Sequence, residues 1–448
     1  MSTRRAHHKT KFGCRTCKRR RIKCDQCRPD CKNCIKRGLE CSFRALDPSP
    51  PSSISALQPG SESSQAVSPF HAFSHEPKDI AYSLPPPTLL DYLAQNSLLE
   101  GYPEILLPRL QLLLHNFVTG TSATISHNAT AQATWCAAIP KLVESHRFVL
   151  RGIFAMSSLH LSRTVGVEKE RETYQTMAAV QMNTGLVHYR SAMEEVSADN
   201  AEALFAYATT TSVFIVLTTA DECKSLLKSL QSEGGRPNQR RAAVSGLAHA
   251  IIGIMRNLRG ILIILVPCWH LIANGILQPI VKREWWPHRY PISPQAIEED
   301  RKLAELENLW AHPDRRYEYW FDTLRSSLKR LRECFGLVSQ LTVAGDDRRP
   351  GGRLIDWTSV VTWPISNSLD FIDLIEQRQP EAWIILAHYA ILPARVENVW
   401  WIEGLASNIL STAALVLKEE MWTWLEWPAT VVGVDLDSLR PHADGPAG

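Results

Sequence analysis

Long uninterrupted hydrophobic segments are absent from this 448-residue sequence. Threonine and serine dilute the uncharged run at residues 203–220, and proline, asparagine and glycine break the one at residues 260–281. Both runs have lengths near the lower limit for crossing a bilayer. The N-terminus has no apolar core after its first charges, so it does not read as a secretory signal. We therefore predict buried core helices and no membrane span.

Motifs of the common enzyme classes are also lacking. The sequence has no Walker or dinucleotide-binding glycine loop, no Gly-x-Ser-x-Gly elbow and no His-Glu-x-x-His helix. Isolated histidines such as His160 and His388 are more often core or surface groups than catalysts. We predict a non-enzymatic function without catalytic residues. The less favoured alternative is an enzyme that carries a zinc module for localisation.

Acidic residues are scarce at one end of the chain only. Residues 1–44 hold 15 Lys and Arg against three Asp and Glu, a net charge of +12. The remainder holds 34 against 43, a net charge of −9, so the overall charge of +3 conceals a strong asymmetry. A basic head on an acidic body predicts that the head binds a polyanion.

Composition divides the chain into four regions. Residues 1–45 are basic and rich in cysteine, and residues 46–88 have the proline, serine and alanine content of a disordered linker. Residues 89–430 show helical periodicity, which predicts an all-α body, and residues 431–448 form a tail. The clearest amphipathic stripe is Trp320, Leu324, Leu328, Leu331, Phe335 and Val338.

Within the body, polar loops are predicted at residues 232–241 and 344–353. Eight of the 14 tryptophans lie between Trp357 and Trp427. We interpret them as packing between helices, with a ligand cavity lined by some of them as the alternative. Four scattered cysteines are predicted to be buried small hydrophobes: Cys136, Cys223, Cys268 and Cys334.

The other seven cysteines lie in the basic head. Six of them form two halves with identical internal spacing: Cys14, Cys17 and Cys24, then Cys31, Cys34 and Cys41. Without an export signal, such thiols are expected to bind metal rather than form disulfides. Each half offers three thiolates, whereas tetrahedral zinc takes four. Six thiolates can therefore hold two zinc ions if one cysteine of each half bridges both ions.

This cysteine segment resembles the fungal Zn2Cys6 binuclear-cluster domain nearly throughout its length. The resemblance implies a small domain of two short helices around a binuclear zinc site. The zinc ligands that it implies are Cys14, Cys17, Cys24, Cys31, Cys34 and Cys41. Cys14 and Cys31 would bridge the two zinc ions, and the remaining pair of each half would complete one site.

The turn that joins the two halves carries one departure from the pattern. Pro29 matches the proline of that turn, but Cys27 adds a thiol that the symmetric scheme does not use. We interpret Cys27 as a spare, oxidisable thiol. The alternative pairs it with Cys24 as a further Cys-x2-Cys knuckle, which would break the symmetry.

Cations fill the segment between the second and third cysteines. Most are expected to contact DNA phosphates, which gives affinity without sequence choice, whereas arginine can grip guanine in the major groove. By the same resemblance, Arg20 and Arg21 lie nearest the base edges, and family members often carry lysine at the position of Arg21. A nuclear import signal is the alternative role, and both roles together predict a nuclear protein. The predicted DNA-contact residues are Arg15, Lys18, Arg19, Arg20, Arg21 and Lys23.

The body resembles the regulatory domain of fungal zinc-cluster activators of the sterol uptake control type. Matching segments include Ile139-Pro140-Lys141-Leu142, Arg256-Asn257-Leu258-Arg259-Gly260, Trp363-Pro364-Ile365-Ser366 and Trp400-Trp401. The resemblance implies an all-helical domain of a kind that often dimerises and sometimes binds a hydrophobic small molecule.

Two function hypotheses follow. The first is a sequence-specific RNA polymerase II transcription factor that binds double-stranded DNA and the transcription machinery. It would regulate a metabolic gene set, either sterol-related genes or a secondary-metabolite gene cluster. The second is a sterol or lipid receptor whose output is DNA binding. An apolar cavity in the body would favour the second hypothesis.

Overall fold

The fold is that of a computed structural model. It describes residues 15–20, 22, 24–25, 31–39, 99, 101–231, 237–283, 286–311, 316–343 and 353–440. The chain divides into an N-terminal unit, Met1–Pro85, and a body, Pro86–Gly448, and each is described by itself. The predicted linker at residues 46–88 lies outside the described residues.

Two short helices are present in the described part of the N-terminal unit. Helix α1 spans Arg15–Arg19 and helix α2 spans Lys32–Ile35. Cys31 caps α2, because its thiol accepts a hydrogen bond from the Cys34 amide at 3.4 Å. Such a cap satisfies one of the amides that the first helical turn leaves without a partner. The start of α2 is thus fixed by a cysteine side chain.

The described body is helical, which confirms the predicted fold class for this part of the chain. Its helices are α3 (Leu107–Asn116), α4 (Ser122–Thr124), α5 (Ala129–Ser145), α6 (Arg147–Thr164), α7 (Glu168–Ala192), α8 (Ala201–Gln231), α9 (Pro237–Gly260), α10 (Leu262–Leu265), α11 (Trp269–Ile272), α12 (Gln278–Val281), α13 (Pro294–Glu305), α14 (Phe321–Gln340), α15 (Thr362–Ser366), α16 (Leu369–Glu376), α17 (Pro380–Tyr389), α18 (Ile391–Ala394), α19 (Leu405–Val416) and α20 (Glu426–Val432).

Shorter elements join these helices. Short 3-10 helices lie at Glu104–Leu106, Leu306–Leu309, Trp357–Val361, Glu419–Leu425 and Asp437–Leu439, and a short π-helix lies at Phe117–Thr121. The strands β1 (Thr342–Val343) and β2 (Arg353–Leu354) pair antiparallel, with Thr342 opposite Leu354. Polar side chains begin several helices. Asn128 caps α5 through the Ala131 amide at 2.8 Å, and Ser368 caps α16 through the Phe371 amide at 3.2 Å.

Two glycines allow α6, α7 and α8 to approach one another closely. A Cβ at Gly152 of α6 would lie 2.5 Å from the Thr210 hydroxyl oxygen on α8. A Cβ at Gly185 of α7 would lie 2.6 Å from the Tyr207 hydroxyl oxygen, also on α8. The Tyr207 ring is fully buried, and its hydroxyl donates to the Met182 carbonyl at 2.6 Å. The missing side chains therefore make room for one aromatic ring at the centre of this helix group.

The tryptophans of the last third pack between helices, as predicted. The buried indoles of Trp363, Trp383 and Trp422 each donate to a backbone carbonyl at 2.9 to 3.0 Å. Trp400 donates to the Thr124 hydroxyl at 2.9 Å, which joins the region before α19 to α4. Each of these four indole nitrogens thus has a hydrogen-bond partner within the body.

Three sequence predictions need correction. The loop predicted at residues 232–241 ends earlier, because α9 begins at Pro237, a residue type favoured in a first helical turn. The run at residues 260–281 is three short helices rather than one core helix. The body continues to residue 440, since Leu439 is buried and its carbonyl accepts from Arg240 at 2.9 Å. The loop predicted at residues 344–353 lies outside the described residues except for Arg353, which belongs to β2.

Two described helical segments are long and apolar enough to cross a membrane by length and composition, Ala201–Leu230 and Asn238–Leu265. The most apolar window of the first is 67% buried within the body and that of the second 50%. The burial of the first segment agrees with the prediction of a core helix at residues 203–220, whereas the second segment overlaps the other predicted run only at residues 260–265.

Candidate metal centre and nucleic-acid interface

Four buried cysteines, together with Ile22, form the small core of the N-terminal unit. The sulfur atoms of Cys17, Cys24 and Cys31 all lie within 4.8 Å of one another. Cys17 and Cys31 are 3.5 Å apart, sulfur to sulfur. Cys34 is fully buried in the same core. Cysteines from both halves of the sequence repeat are thus brought together in one core.

The three close thiols suit a zinc ion. Zinc–sulfur bonds of about 2.3 Å in a tetrahedron place neighbouring sulfurs about 3.8 Å apart. The spacing of Cys17, Cys24 and Cys31 is compatible with three corners of that tetrahedron. These cysteines belong to the set expected for one of the two predicted zinc sites. Its fourth predicted member, Cys14, lies outside the described residues, as do Cys41 and Cys27.

The two halves of the unit end their helices in the same way. After α1, the Ile22 amide donates to the Cys17 carbonyl at 3.1 Å, and after α2 the Leu39 amide donates to the Cys34 carbonyl at 3.0 Å. Each bond reaches back five residues, as in a Schellman turn. Gly38 supplies the left-handed residue of the second turn, with φ of 62°. The repeat seen in the sequence is therefore also a repeat of backbone hydrogen bonding.

The described members of the predicted DNA-contact set lie on and just after α1. Arg15, Lys18 and Arg19 are part of this helix, and the Arg19 side chain is exposed. Arg20 follows the helix and is half-buried. Arg21 and Lys23 lie outside the described residues.

Neither histidine considered from the sequence has the setting of a catalyst. His160 lies 3.0 Å from the Thr121 hydroxyl and stacks on Trp400 at 5.1 Å, and burial lowers its pKa. His388 is buried, and its Nδ1 lies 2.8 Å from the Ile384 carbonyl oxygen. Burial lowers the pKa of His388 to about 4, so the ring is neutral near pH 7. Both rings are core groups with hydrogen-bond partners.

The body contains a buried ion pair that the sequence did not predict. Asp356 is fully buried and accepts from Arg283 Nε at 3.1 Å and from the Trp286 indole at 2.9 Å. Arg283 also contacts His127 Nδ1 at 2.9 Å. Burial and the neighbouring guanidinium lower the pKa of His127 to about 4. Positions 127, 283 and 356 carry no shared motif, so only the fold reveals the pair.

Residues 12–49 match the fungal Zn(2)-Cys(6) binuclear cluster domain. The chain therefore carries this zinc-binding domain at its N-terminus, and the buried group of Cys17, Cys24 and Cys31 lies within the matched residues. This identification confirms the domain resemblance drawn from the sequence.

The chain is also similar to individual fungal proteins. A Zn(2)-C6 fungal-type transcription factor of Gibberella zeae is 24% identical over 477 residues, which cover 98% of this chain and 89% of the relative. The Zn(2)-C6 fungal-type transcription factor afumD of Aspergillus fumigatus is 29% identical over 160 residues, 35% of this chain and 34% of the relative. Sterol uptake control protein 2 of Candida albicans is 52% identical over 40 residues, 9% of this chain and 6% of the relative. Two of these relatives are named as transcription factors and the third as a control protein, and none of the three names describes an enzyme.

Proposed function

We propose that the chain is a nuclear, sequence-specific DNA-binding factor of RNA polymerase II transcription that controls a metabolic gene set. The observation that carries the proposal is the buried group of Cys17, Cys24 and Cys31 directly beside the cationic helix α1. Two zinc ions would hold this module, with the ligand set inferred from the sequence. When bound, zinc supplies the rigidity that such a small unit needs to fold.

We assign phosphate contact and base recognition to different residues of this module. Arg19 is exposed on α1, where its charge suits a phosphate contact. Arg21 follows α1 and is the side chain that we propose reads a base edge in the major groove. Binding would depend steeply on salt, because each phosphate contact releases counterions.

A matched pair of variants tests this division. Arg21→Ala is expected to reduce binding to a selected duplex more than binding to a scrambled duplex, because it removes base readout. Lys18→Ala is expected to weaken binding to both duplexes by a similar factor, because it removes a phosphate contact. Fluorescence anisotropy at several salt concentrations measures both effects. Equal losses on both duplexes for both variants would overturn the assignment.

The identity of the regulated genes is a finer proposal. Sterol-related genes and a secondary-metabolite gene cluster are the two candidates, and the first rests on the relatives named sterol uptake control protein 2. Genome-wide mapping of bound sites beside the transcriptome of a deletion strain separates them. Bound promoters clustered around one biosynthetic locus support the second candidate, and dispersed sterol genes support the first.

A sterol-sensing body finds less support. One cavity of about 390 Å³ lies at the junction of α5, α6 and α7 in the described body. Its lining residues are Ser145, His146, Arg147, Phe148, His188, Ser191 and Ala192. This cavity is open to solvent, whereas a sterol needs an enclosed site that buries most of its apolar surface. We therefore propose DNA-dependent regulation as the main activity of the chain.

A further inference from the structure

The second half of the zinc module carries cations of its own, on and after α2. Lys32, Lys36 and Arg37 are all exposed. The same shift along the sequence that superimposes the two cysteine halves also superimposes these cations on Arg15, Arg19 and Arg20. Three of the six predicted DNA-contact positions are thus filled by a cation in both halves.

Helical geometry supports the equivalence of the two sets. Lys32 begins α2, and Lys36 directly follows it with helical backbone angles, so these two residues four positions apart lie on the same side of the turn. Cys34 lies midway between them in sequence and points into the buried core, so that face is turned away from the cysteines. Arg15 and Arg19 have the same spacing around the buried Cys17 of α1.

The backbone agrees with the sequence repeat. Both helices end in a bond from an amide to a carbonyl five residues earlier, Ile22 to Cys17 and Leu39 to Cys34. The equivalent positions of the two halves therefore lie on backbone turns of the same kind, and the correspondence is structural as well as sequential.

The remaining three positions differ in a consistent direction. Lys18, Arg21 and Lys23 correspond to Ile35, Gly38 and Glu40. Glycine and isoleucine offer no hydrogen-bond donor to a base edge from their side chains, and glutamate would repel a phosphate. The second half keeps three cations but has no equivalent of the proposed base-reading Arg21.

We propose that α2 and its following turn form a second phosphate-contact surface, in which Lys32, Lys36 and Arg37 bind the duplex backbone without reading its sequence. This inference rests on the proposed DNA-binding function. The two halves then have different roles. The first half contributes to both the affinity and the sequence specificity of DNA binding, and the second half contributes to affinity alone.

The test uses the full zinc-loaded chain with the double variant Lys36→Gln/Arg37→Gln. Binding is measured by fluorescence anisotropy on a duplex selected by the wild-type chain and on a scrambled duplex, over a range of salt concentrations. We expect affinity to fall by the same factor on both duplexes. The slope of log affinity against log salt concentration should become shallower by about 2, since each lost phosphate contact contributes about 1.

Ile35→Gln is the matched control, because it changes an exposed side chain of the same helix without changing charge. It is expected to leave affinity and slope unchanged, and zinc content measured on every variant confirms an intact module. An unchanged slope in the double variant overturns the proposal, and so does a loss confined to the selected duplex. If the wild-type chain itself binds no duplex selectively, the proposed function fails instead, and the two failures are thereby distinguished.

Discussion

Replacing Gly185 with alanine should destabilise the body, although alanine is the better helix former. A Cβ at this position would lie 2.6 Å from the Tyr207 hydroxyl oxygen, 2.8 Å from Tyr207 Cε2 and 2.9 Å from Arg151 Cβ. Real Cβ atoms essentially never approach other atoms below 3.0 Å, so Tyr207 or a helix must move. The Tyr207 ring is fully buried and has no free space into which it can rotate.

The magnitude follows from three opposing effects. Overpacking of a core costs about 1–3 kcal/mol, and loss of the hydrogen bond from Tyr207 to the Met182 carbonyl costs about 1 kcal/mol. Alanine regains about 1 kcal/mol of helix propensity over glycine. We therefore expect Gly185→Ala to lower the free energy of unfolding by about 1–3 kcal/mol.

Urea denaturation followed by far-ultraviolet circular dichroism measures this change. Gly253→Ala on α9 is the matched control, because a Cβ there meets no atom within 4 Å and the variant should be stabilised by up to about 1 kcal/mol. Tyr207→Phe removes the nearest atom of the clash, so Gly185→Ala should cost less in that background. A Gly185→Ala protein at least as stable as Gly253→Ala would refute the packing argument.

Further predictions concern charge and protonation. Asp356→Asn should lower the free energy of unfolding by about 3 kcal/mol or more in urea denaturation, because it leaves the largely buried Arg283 without its carboxylate; an unchanged midpoint would contradict a stabilising role for this ion pair. The free energy of unfolding should also fall as pH drops from about 6.5 towards 4. His388 has a pKa of about 4 in the folded chain and about 6.5 in the unfolded chain. Between these two pH values the unfolded chain binds more protons than the folded chain, so acid favours unfolding. In His388→Phe the loss of unfolding free energy between about pH 6.5 and pH 4 should be smaller by about 3 kcal/mol. The same loss in the variant and the wild-type chain would contradict a neutral, buried His388 ring. Cys17→Ser should reduce the zinc content and abolish selective DNA binding, whereas Cys223→Ser, which changes a buried cysteine of the body, should leave zinc content unchanged.

The sequence reveals the metal centre better than the body, for a physical reason. Metal ligation fixes both residue type and spacing, so the repeat of Cys14, Cys17 and Cys24 in a second half with the same spacing is readable without coordinates. Helical periodicity likewise predicts α14, whose stripe from Leu324 to Val338 is buried as expected. Both patterns depend on the spacing of residues within one segment, so they can be recognised in the sequence alone.

Other features depend on contacts between distant positions. The ion pair of Arg283 with Asp356 joins residues 73 positions apart, and the contact between Arg240 and the Leu439 carbonyl spans 199 positions. No local pattern near residue 431 indicates that the following residues pack against the body. The predicted tail therefore begins at residue 431, before the last packed residues. Gly185 also gives no signal by itself, because its role depends on a tyrosine from another helix.

The central claim is that a zinc-held module at the N-terminus reads a particular DNA sequence. Competition between a selected and a scrambled duplex for the full chain, before and after zinc chelation, tests it most directly. The account predicts that the selected duplex binds at least about 10³-fold more tightly, that chelation removes this preference, and that two equivalents of zinc restore it. Equal affinity for both duplexes in the zinc-loaded chain, or a preference that survives chelation, would contradict the account.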